Sequence, residues 1–371
     1  MKMNRSFFLK FLVFINSLAV IGLLASYAAG FFSPEQAWIL AFFGLAYPVL
    51  LIINMLFVLL WLVLWKRYIF ISLIAVLVGW SSLRTVFPVH LFQQDRPAGQ
   101  PIKVTSFNVH HFYGNHQTES IPENRSKIAD FLVAQESDIV CIQEFFAIGE
   151  DFSKTLDKFA KSIQMEYNAS KNYKVFFNKQ KIVAIATFSR YPVAASGHFT
   201  MQDGLLYAIY SDIVINMDTI RVYNLHLESI RFGNDDYAFY TQLTDPDKDV
   251  TPIKEGSKRM IWKMRKAFIL RSKQVNILAL HVKACPYPVI LTGDFNDTPS
   301  SYTYHQLTTE LSDAYKETGE KFMEGTYAGK LPSFRIDYIL HSKEFQVLSY
   351  KKFDVDLSDH FPIAATMVFN H

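Results

Sequence analysis

LTGDFNDTPSS, from Leu291 to Ser301, is entered through the apolar run YPVI and left through a turn-rich series of Asp, Asn, Thr, Pro and Ser. A continuous apolar approach of this kind reads as a strand buried on both faces. An Asp at its exit ordinarily caps a turn. Working outward, the same pattern recurs. Asn108 ends IKVTSFNV, Glu144 closes DIVCIQEF and His226 ends RVYNLH. Asp337 lies in FRIDYIL, and Asp359 and His360 stand just before PIAATMVF. Each alone has a plain structural explanation. Acids, amides and imidazoles repeated where strands leave a core point instead to one shared chemical site.

The segments between them set the fold class. IVAIATFS, YAIYSDIVI and TIRVYNLHLES read as further strands, as do KVFFN and FQVLSYKKF. ENRSKIADFLVAQE, DFSKTLDKFAKSI, SYTYHQLTTE and the long SKRMIWKMRKAFILRSKQVNILALHV carry helical spacing. Several continuous apolar strands with intervening helices imply an α/β domain over residues 102–371, built as two packed mixed sheets flanked by helices.

The first ninety residues differ in kind. They hold Lys2, Arg5, Lys10, Lys66, Arg67 and Arg84 against the single acid Glu35. The rest of the chain carries 31 basic and 33 acidic residues, so the positive balance of the whole belongs to the N-terminal part. The near-neutral remainder offers no global attraction for a polyanion. Three apolar stretches, about 11–30, 36–65 and 68–89, predict three transmembrane helices. Trp38, Trp61, Trp65 and Trp80 near their ends suit interfacial anchors. The basic residues precede the first stretch and lie between the second and third. That bias predicts a multi-pass inner-membrane protein with a cytoplasmic N-terminus and everything after Val89 in the periplasm. HLFQQDRPAGQP, residues 90–101, reads as a linker. Two cysteines, Cys141 and Cys285, make neither a disulfide framework nor a zinc site.

The motifs SFNV, IQEF, FSRYP, NLHLES, TGDFND, RIDYIL and SDHFP occur in that order between Ile102 and Phe369. Together they resemble the endonuclease/exonuclease/phosphatase superfamily, in its deoxyribonuclease-like and neutral-sphingomyelinase-like branches. The resemblance implies a four-layer α/β sandwich and a metal-dependent phosphoester hydrolase. By it Glu144 is the main ligand of Mg²⁺ or Mn²⁺, with Asn108 beside it and Asp359 at or near the metal. His360 matches the catalytic histidine, oriented by Asp337. Asp294 matches the residue that positions water, Asn296 a donor to phosphate oxygens, and His226 a phosphate binder or leaving-group acid. Many relatives carry a glycine in the strand before FSRYP; KIVAIATFSRYP has none.

These residue types suit the chemistry. Phosphoester hydrolysis needs an in-line water, neutralised oxygens and a stabilised leaving group. Hard oxygen ligands hold Mg²⁺, and an imidazole moves protons near neutral pH. The predicted membrane part favours a lipid headgroup or another envelope phosphoester as substrate. A periplasmic nuclease is the alternative, carried by basic residues along SKRMIWKMRKAFILRSK. A non-catalytic binding module would require a vestigial site, and every matched position is intact.

Overall fold

In a computed structural model, the described residues are 5–88, 99–114, 120–148, 152–176, 181–202, 204–244, 253–322, 324–329 and 332–369. Twelve strands are seen among them: β1 Pro101–Asn108, β2 Ile139–Ile148, β3 Tyr167–Phe176, β4 Lys181–Ser189, β5 Val193–Thr200, β6 Leu206–Ile215, β7 Asp218–His226, β8 Val289–Asp294, β9 Ser312–Asp313, β10 Asp337–His341, β11 Phe345–Lys352 and β12 Ile363–Phe369. The helices are α1 Arg5–Ala28, α2 Pro34–Leu45, α3 Tyr47–Val63, α4 Ile69–Val78, α5 Trp80–Arg84, α6 Ile121–Ala134, α7 Phe152–Ser162, α8 Asn234–Thr244, α9 Ile253–Lys283, α10 Tyr302–Leu307 and α11 Ala314–Thr318. β5 and α8 escape the sequence reading. The strand VAASGHFT is a largely exposed edge without a regular apolar alternation, and α8 buries Phe239 but is otherwise mostly polar.

The strands form two six-stranded sheets, ordered β11-β12-β1-β2-β4-β3 and β5-β6-β7-β8-β10-β9. Each has one parallel pair, β1–β2 and β7–β8, flanked by antiparallel partners. The two halves therefore repeat one plan. β1, β7 and β8 end on Asn108, His226 and Asp294, and Glu144 lies inside β2 at an irregularity in its pairing with β4.

Three apolar clusters divide the layers. Val140, Phe145 and Phe188 pack under α6 and α7. Val104, Ile139 and Cys141 meet Ile213, Val222 and Ile339 between the sheets. Tyr223, Leu291 and Tyr338 pack against Val275 and Leu278 of α9. The four-layer α/β sandwich expected from the sequence is what these clusters build. Cys141 is a buried free thiol in the middle layer and Cys285 is also free. A polar pin crosses between the sheets: Gln143 Nε2 donates to Asn224 Oδ1 at 2.7 Å, and Asn224 Nδ2 donates to the Ala186 carbonyl at 2.9 Å.

The N-terminal part departs from the expectation of three spans. By length and composition α1 alone qualifies as a candidate membrane helix. The second run is broken at Ala46 into α2 and α3, bent by 54°. Pro48 at the start of α3 has no N–H to continue α2, and its ring disfavours a helical residue before it. Taken as one span, that bent pair would make a second candidate. The third run is only ten residues long as α4, closed at Gly79. α2 instead lies against the catalytic domain. Phe42 meets Phe268 edge-on at 5.3 Å and the Arg265 guanidinium covers Trp38 at 5.2 Å, while Phe31, just before α2, lies tilted against His305 at 4.4 Å. Gly44 sits so close to the turn after β8 that a Cβ there would approach the Ser300 carbonyl oxygen to 3.0 Å.

Trp61 is no interfacial anchor. It is fully buried, and its Nε1 donates to Asn16 Oδ1 at 2.7 Å. Most of the expected linker falls outside the described residues, and β1 already begins at Pro101.

Candidate active site

β8 places the centre. Gly293 has φ 134°, and a Cβ there would sit 2.1 Å from the Leu225 carbonyl oxygen. Only glycine lets β8 approach β7 this closely. The register then sets His226 beside Asp294 on one side and Asp337 beside it on the other. Asn296, itself at φ 54°, turns the chain back so that its N–H donates to Asp294 Oδ1 at 2.8 Å. Its Nδ2 donates to Asp294 Oδ2 at 3.1 Å and to the Leu227 carbonyl at 3.0 Å. Asn108 Nδ2 reaches the same Oδ2 at 3.1 Å, joining the end of β1 to the end of β8.

SDH enters from the last connection. Ala328 N–H donates to the Asp359 carbonyl at 2.7 Å, and Tyr327 forms an isolated bridge with His360. Ser358 Oγ donates to the Asn108 carbonyl at 2.7 Å, tying this segment to β1. His360 Nδ1 and Asp337 Oδ2 are 3.0 Å apart, a hydrogen bond in which the ring nitrogen donates. His360 Nε2 then faces Asp294 Oδ2 at 3.7 Å.

Glu144 stands at a β-bulge. The β2–β4 register shifts between Ile142 and Phe145, and Glu144 takes φ 57°. A bulge re-aims one side chain out of the pleat. Here it turns Glu144 into the cleft, with Oε1 3.5 Å from His226 Nε2 and Oε2 3.0 Å from His111 Nδ1.

Two residues not read from the sequence join the site, His110 and His111. They directly follow Asn108 in NVHHF, so adjacency was the available signal. His110, His111 and Phe112 all have left-handed φ, at 44°, 56° and 64°. Buried Phe112 anchors the turn, and Asn124 Nδ2 donates to its carbonyl at 3.2 Å. His110 Nδ1 comes to 3.6 Å from Asp359 Oδ1. Every expected site residue, Asn108, Glu144, His226, Asp294, Asn296, Asp337, Asp359 and His360, therefore lies in one cluster. All but Asp337 line a cleft of about 410 Å³.

Electrostatics separates the acids. Burial works to raise the Glu144 carboxyl, but the surrounding imidazoles of His111, His226, His110 and His360 outweigh it and hold the group at about 2. Burial pushes Asp294 up to about 6, against the pull of His360. Burial disfavours the His360 imidazolium, yet Asp337 and Asp294 raise it well above the ordinary histidine value.

Two metal arrangements fit these groups. Asp294, Asp337 and His360 bring ligand atoms within 4.8 Å of one another and could hold a metal. In that trio, however, Asp337 Oδ2 and His360 Nδ1 are already bonded to each other. Glu144, whose carboxyl is held low, lines the same cleft as Asn108 and Asp359, and an oxygen set of this kind suits a hard divalent cation.

A four-layer sandwich with acids, amides and imidazoles gathered at the ends of its two parallel strand pairs is the plan of a hydrolytic domain. The chain belongs to the endonuclease/exonuclease/phosphatase family, whose profile matches residues 105–360. Residues 9–86 match the profile of a domain of unknown function. No curated protein matches the chain. Among solved structures it is similar to an endonuclease/exonuclease/phosphatase from Beutenbergia cavernae, at 16% identity over 73% of this chain and 72% of that one, with a TM-score of 0.54. A family protein from Leptotrichia buccalis gives 18%, 72%, 100% and 0.51. A mannosyl-6-phosphatase from Bacteroides thetaiotaomicron gives 17%, 72%, 100% and 0.50. Identities this low speak for the fold alone.

Proposed function

We propose that the protein is a metal-dependent phosphoester hydrolase held at a membrane by its N-terminal helices. The observation that carries this reading is the His360–Asp337 pair aimed at Asp294, with Asn108 bonded to Asp294 and Glu144 lining the same cleft. Glu144, with Asn108 and Asp359, would hold Mg²⁺ or Mn²⁺. Bound there, the ion supplies Lewis acidity to a phosphate oxygen.

The chain's own residues do the rest. Asp294, fixed by three donated hydrogen bonds, orients a water and takes its proton as the water oxygen bonds to phosphorus. His360, kept cationic by Asp337, faces the charge that builds on the phosphate oxygens. The phosphorus–oxygen bond to the leaving group breaks, and His226 gives that oxygen a proton. Asn296 serves first to hold Asp294; for it to donate to phosphate as well, its amide must exchange the Asp294 bond for a phosphate oxygen.

The location is part of the same proposal. α1 is the candidate span, and α3 and α4 pack on it through Leu23, Leu51 and Ala75. The basic N-terminal end then lies in the cytoplasm and residues 102–371 in the periplasm. A lipid headgroup or another envelope phosphoester is the substrate that such a placement favours. The nuclease alternative draws less on α9 than its sequence suggests, because four of the seven basic residues in SKRMIWKMRKAFILRSK are paired with acids. Arg259 and Lys263 clamp Asp236, Arg271 binds Asp297, and Lys273 faces Glu35.

Full-length protein is expected to hydrolyse bis-p-nitrophenyl phosphate with Mg²⁺ or Mn²⁺ and to stop on EDTA addition. His360→Ala should reduce kcat by roughly 10²–10⁴-fold. A variant turning over at the parent rate would refute the assignment.

A further inference from the structure

The cleft joins the polar catalytic cluster to a wall rich in apolar side chains, with Ser229, Arg231, Tyr237 and Tyr240 also among its lining. Met260, Met264 and Phe268 recur at four-residue spacing along α9, which sets them in one line on the helix, and all three line the cleft. Ile230 and Phe232, from the segment after β7, also line it. Leu45, the last residue of α2, completes the apolar wall. Three residues past Phe268, Arg271 binds Asp297 at 3.0 Å, and both stand beside the catalytic turn. Passing along α9, the cleft thus changes from apolar to polar within about two helical turns.

A methionine stripe at this spacing is more often ordinary core. Here Met260 and Met264 are only half-buried, and what they face is the open cleft. The wall is also continuous with other apolar surface. Just past Leu45 the chain becomes α3, whose Val49, Ile52 and Leu56 are exposed. Apolar cleft and apolar helix flank therefore meet at the bend between α2 and α3. A small, fully polar phosphoester would leave this wall facing water; a hydrocarbon chain would cover it.

We propose that the wall of Leu45, Ile230, Phe232, Met260, Met264 and Phe268 binds the hydrocarbon chain of an amphiphilic phosphoester, entering at the α2–α3 bend with its phosphate among Asn108, Glu144, Asp294 and His360. This rests on the phosphoesterase reading and adds where the hydrocarbon chain of such a substrate is held. Each methylene buried on the wall should strengthen binding by about fourfold, the equivalent of about 0.8 kcal/mol.

The test uses full-length protein in amphipol and short chains that form no micelles. Binding of ethyl, butyl and hexyl phosphate is measured by calorimetry with Mg²⁺ present. Hydrolysis of the methyl, butyl and hexyl esters of p-nitrophenyl phosphate is measured alongside. The expected result is a Kd that falls at least tenfold from ethyl to hexyl, with kcat/KM rising in parallel. Leu45→Gln and Met264→Gln alter partly exposed residues, and each should shrink the hexyl-to-ethyl ratio to less than threefold. A flat series in the parent protein, with ester hydrolysis intact, overturns the inference and leaves the phosphoesterase reading standing. A steep series untouched by both variants also overturns it, since the chain then lies elsewhere. Cleavage of plasmid DNA in preference to the hexyl ester, with a flat series, makes the occupant a nucleic acid. Neither hydrolysis nor binding of any member removes both readings.

Discussion

Gly293 shows how one residue carries the site. Its φ and its contact with the Leu225 carbonyl oxygen leave no room for a side chain. Gly293→Ala must move β7 from β8, and with it His226 from Asp294. A stability loss of about 3 kcal/mol or more, read as a fall in melting temperature, is expected from backbone strain and overpacking together. Asp337 makes the complementary case. Asp337→Asn keeps the shape but removes the charge that holds His360 in place and protonated. A kcat loss of roughly a hundredfold or more, with little change in KM, is the expected outcome in steady-state kinetics. The residue-level signals were legible where an apolar strand ends in a polar side chain. Glu144 was legible as an acid in IQEF, but not its bulge, because a register shift depends on the partner strand. His110 and His111 carry no such signal, because a His pair beside a strand looks ordinary until the left-handed turn aims it at Glu144 and Asp359.

Among the elements, α8 and α9 are joined by a charge clamp. Burial works to raise Asp236, but Lys263 and Arg259 overcome it and hold the carboxyl at about 2. A carboxyl lowered on folding adds stability above its unfolded pKa of about 3.9 and loses it as pH falls toward 2. Asp236→Asn should therefore melt below the parent protein at pH 6, with the gap closing between pH 4 and pH 2. The N-terminal helices hold a second polar device. Asn16 Nδ2 donates to Ser72 Oγ, Ser72 Oγ donates to Asn54 Oδ1 at 2.9 Å, and Trp61 donates to Asn16. This connects α1, α3 and α4 in a fixed register within an otherwise apolar cluster. Asn16→Ala leaves the Trp61 N–H and the Ser72 hydroxyl short of partners and should cost about 1–3 kcal/mol, measurable by thermal melting in detergent. Hydropathy located these helices but not their breaks. Windowed apolarity is blind to Pro48 ending α2, and to Gly79 letting α4 meet Tyr27.

At the scale of the whole molecule, the layered sandwich could be read from strand and helix periodicity, while the seating of the N-terminal part could not. Nothing in PEQAWILAFFGL distinguishes a buried span from a helix docked on a protein surface; only the facing residues Phe268, Arg265 and Ser300 decide it. A fragment lacking residues 1–88 should expose Phe268 and its neighbours on α9. It is expected to bind a hydrophobic dye and to melt several degrees below the full chain. The docking also has a geometric consequence. α2 is kinked at Ala37, where φ −140° and ψ 57° leave the helical region, and beyond the kink residues 38–45 run about 12 Å to Leu45 at the rim of the cleft. A flexible leash would let the catalytic mouth sample any height and any tilt. With α1 in a bilayer, as proposed, a segment braced on the turn after Asp294 would restrict the standoff and heading of the cleft, and so the depth at which a scissile bond is cut.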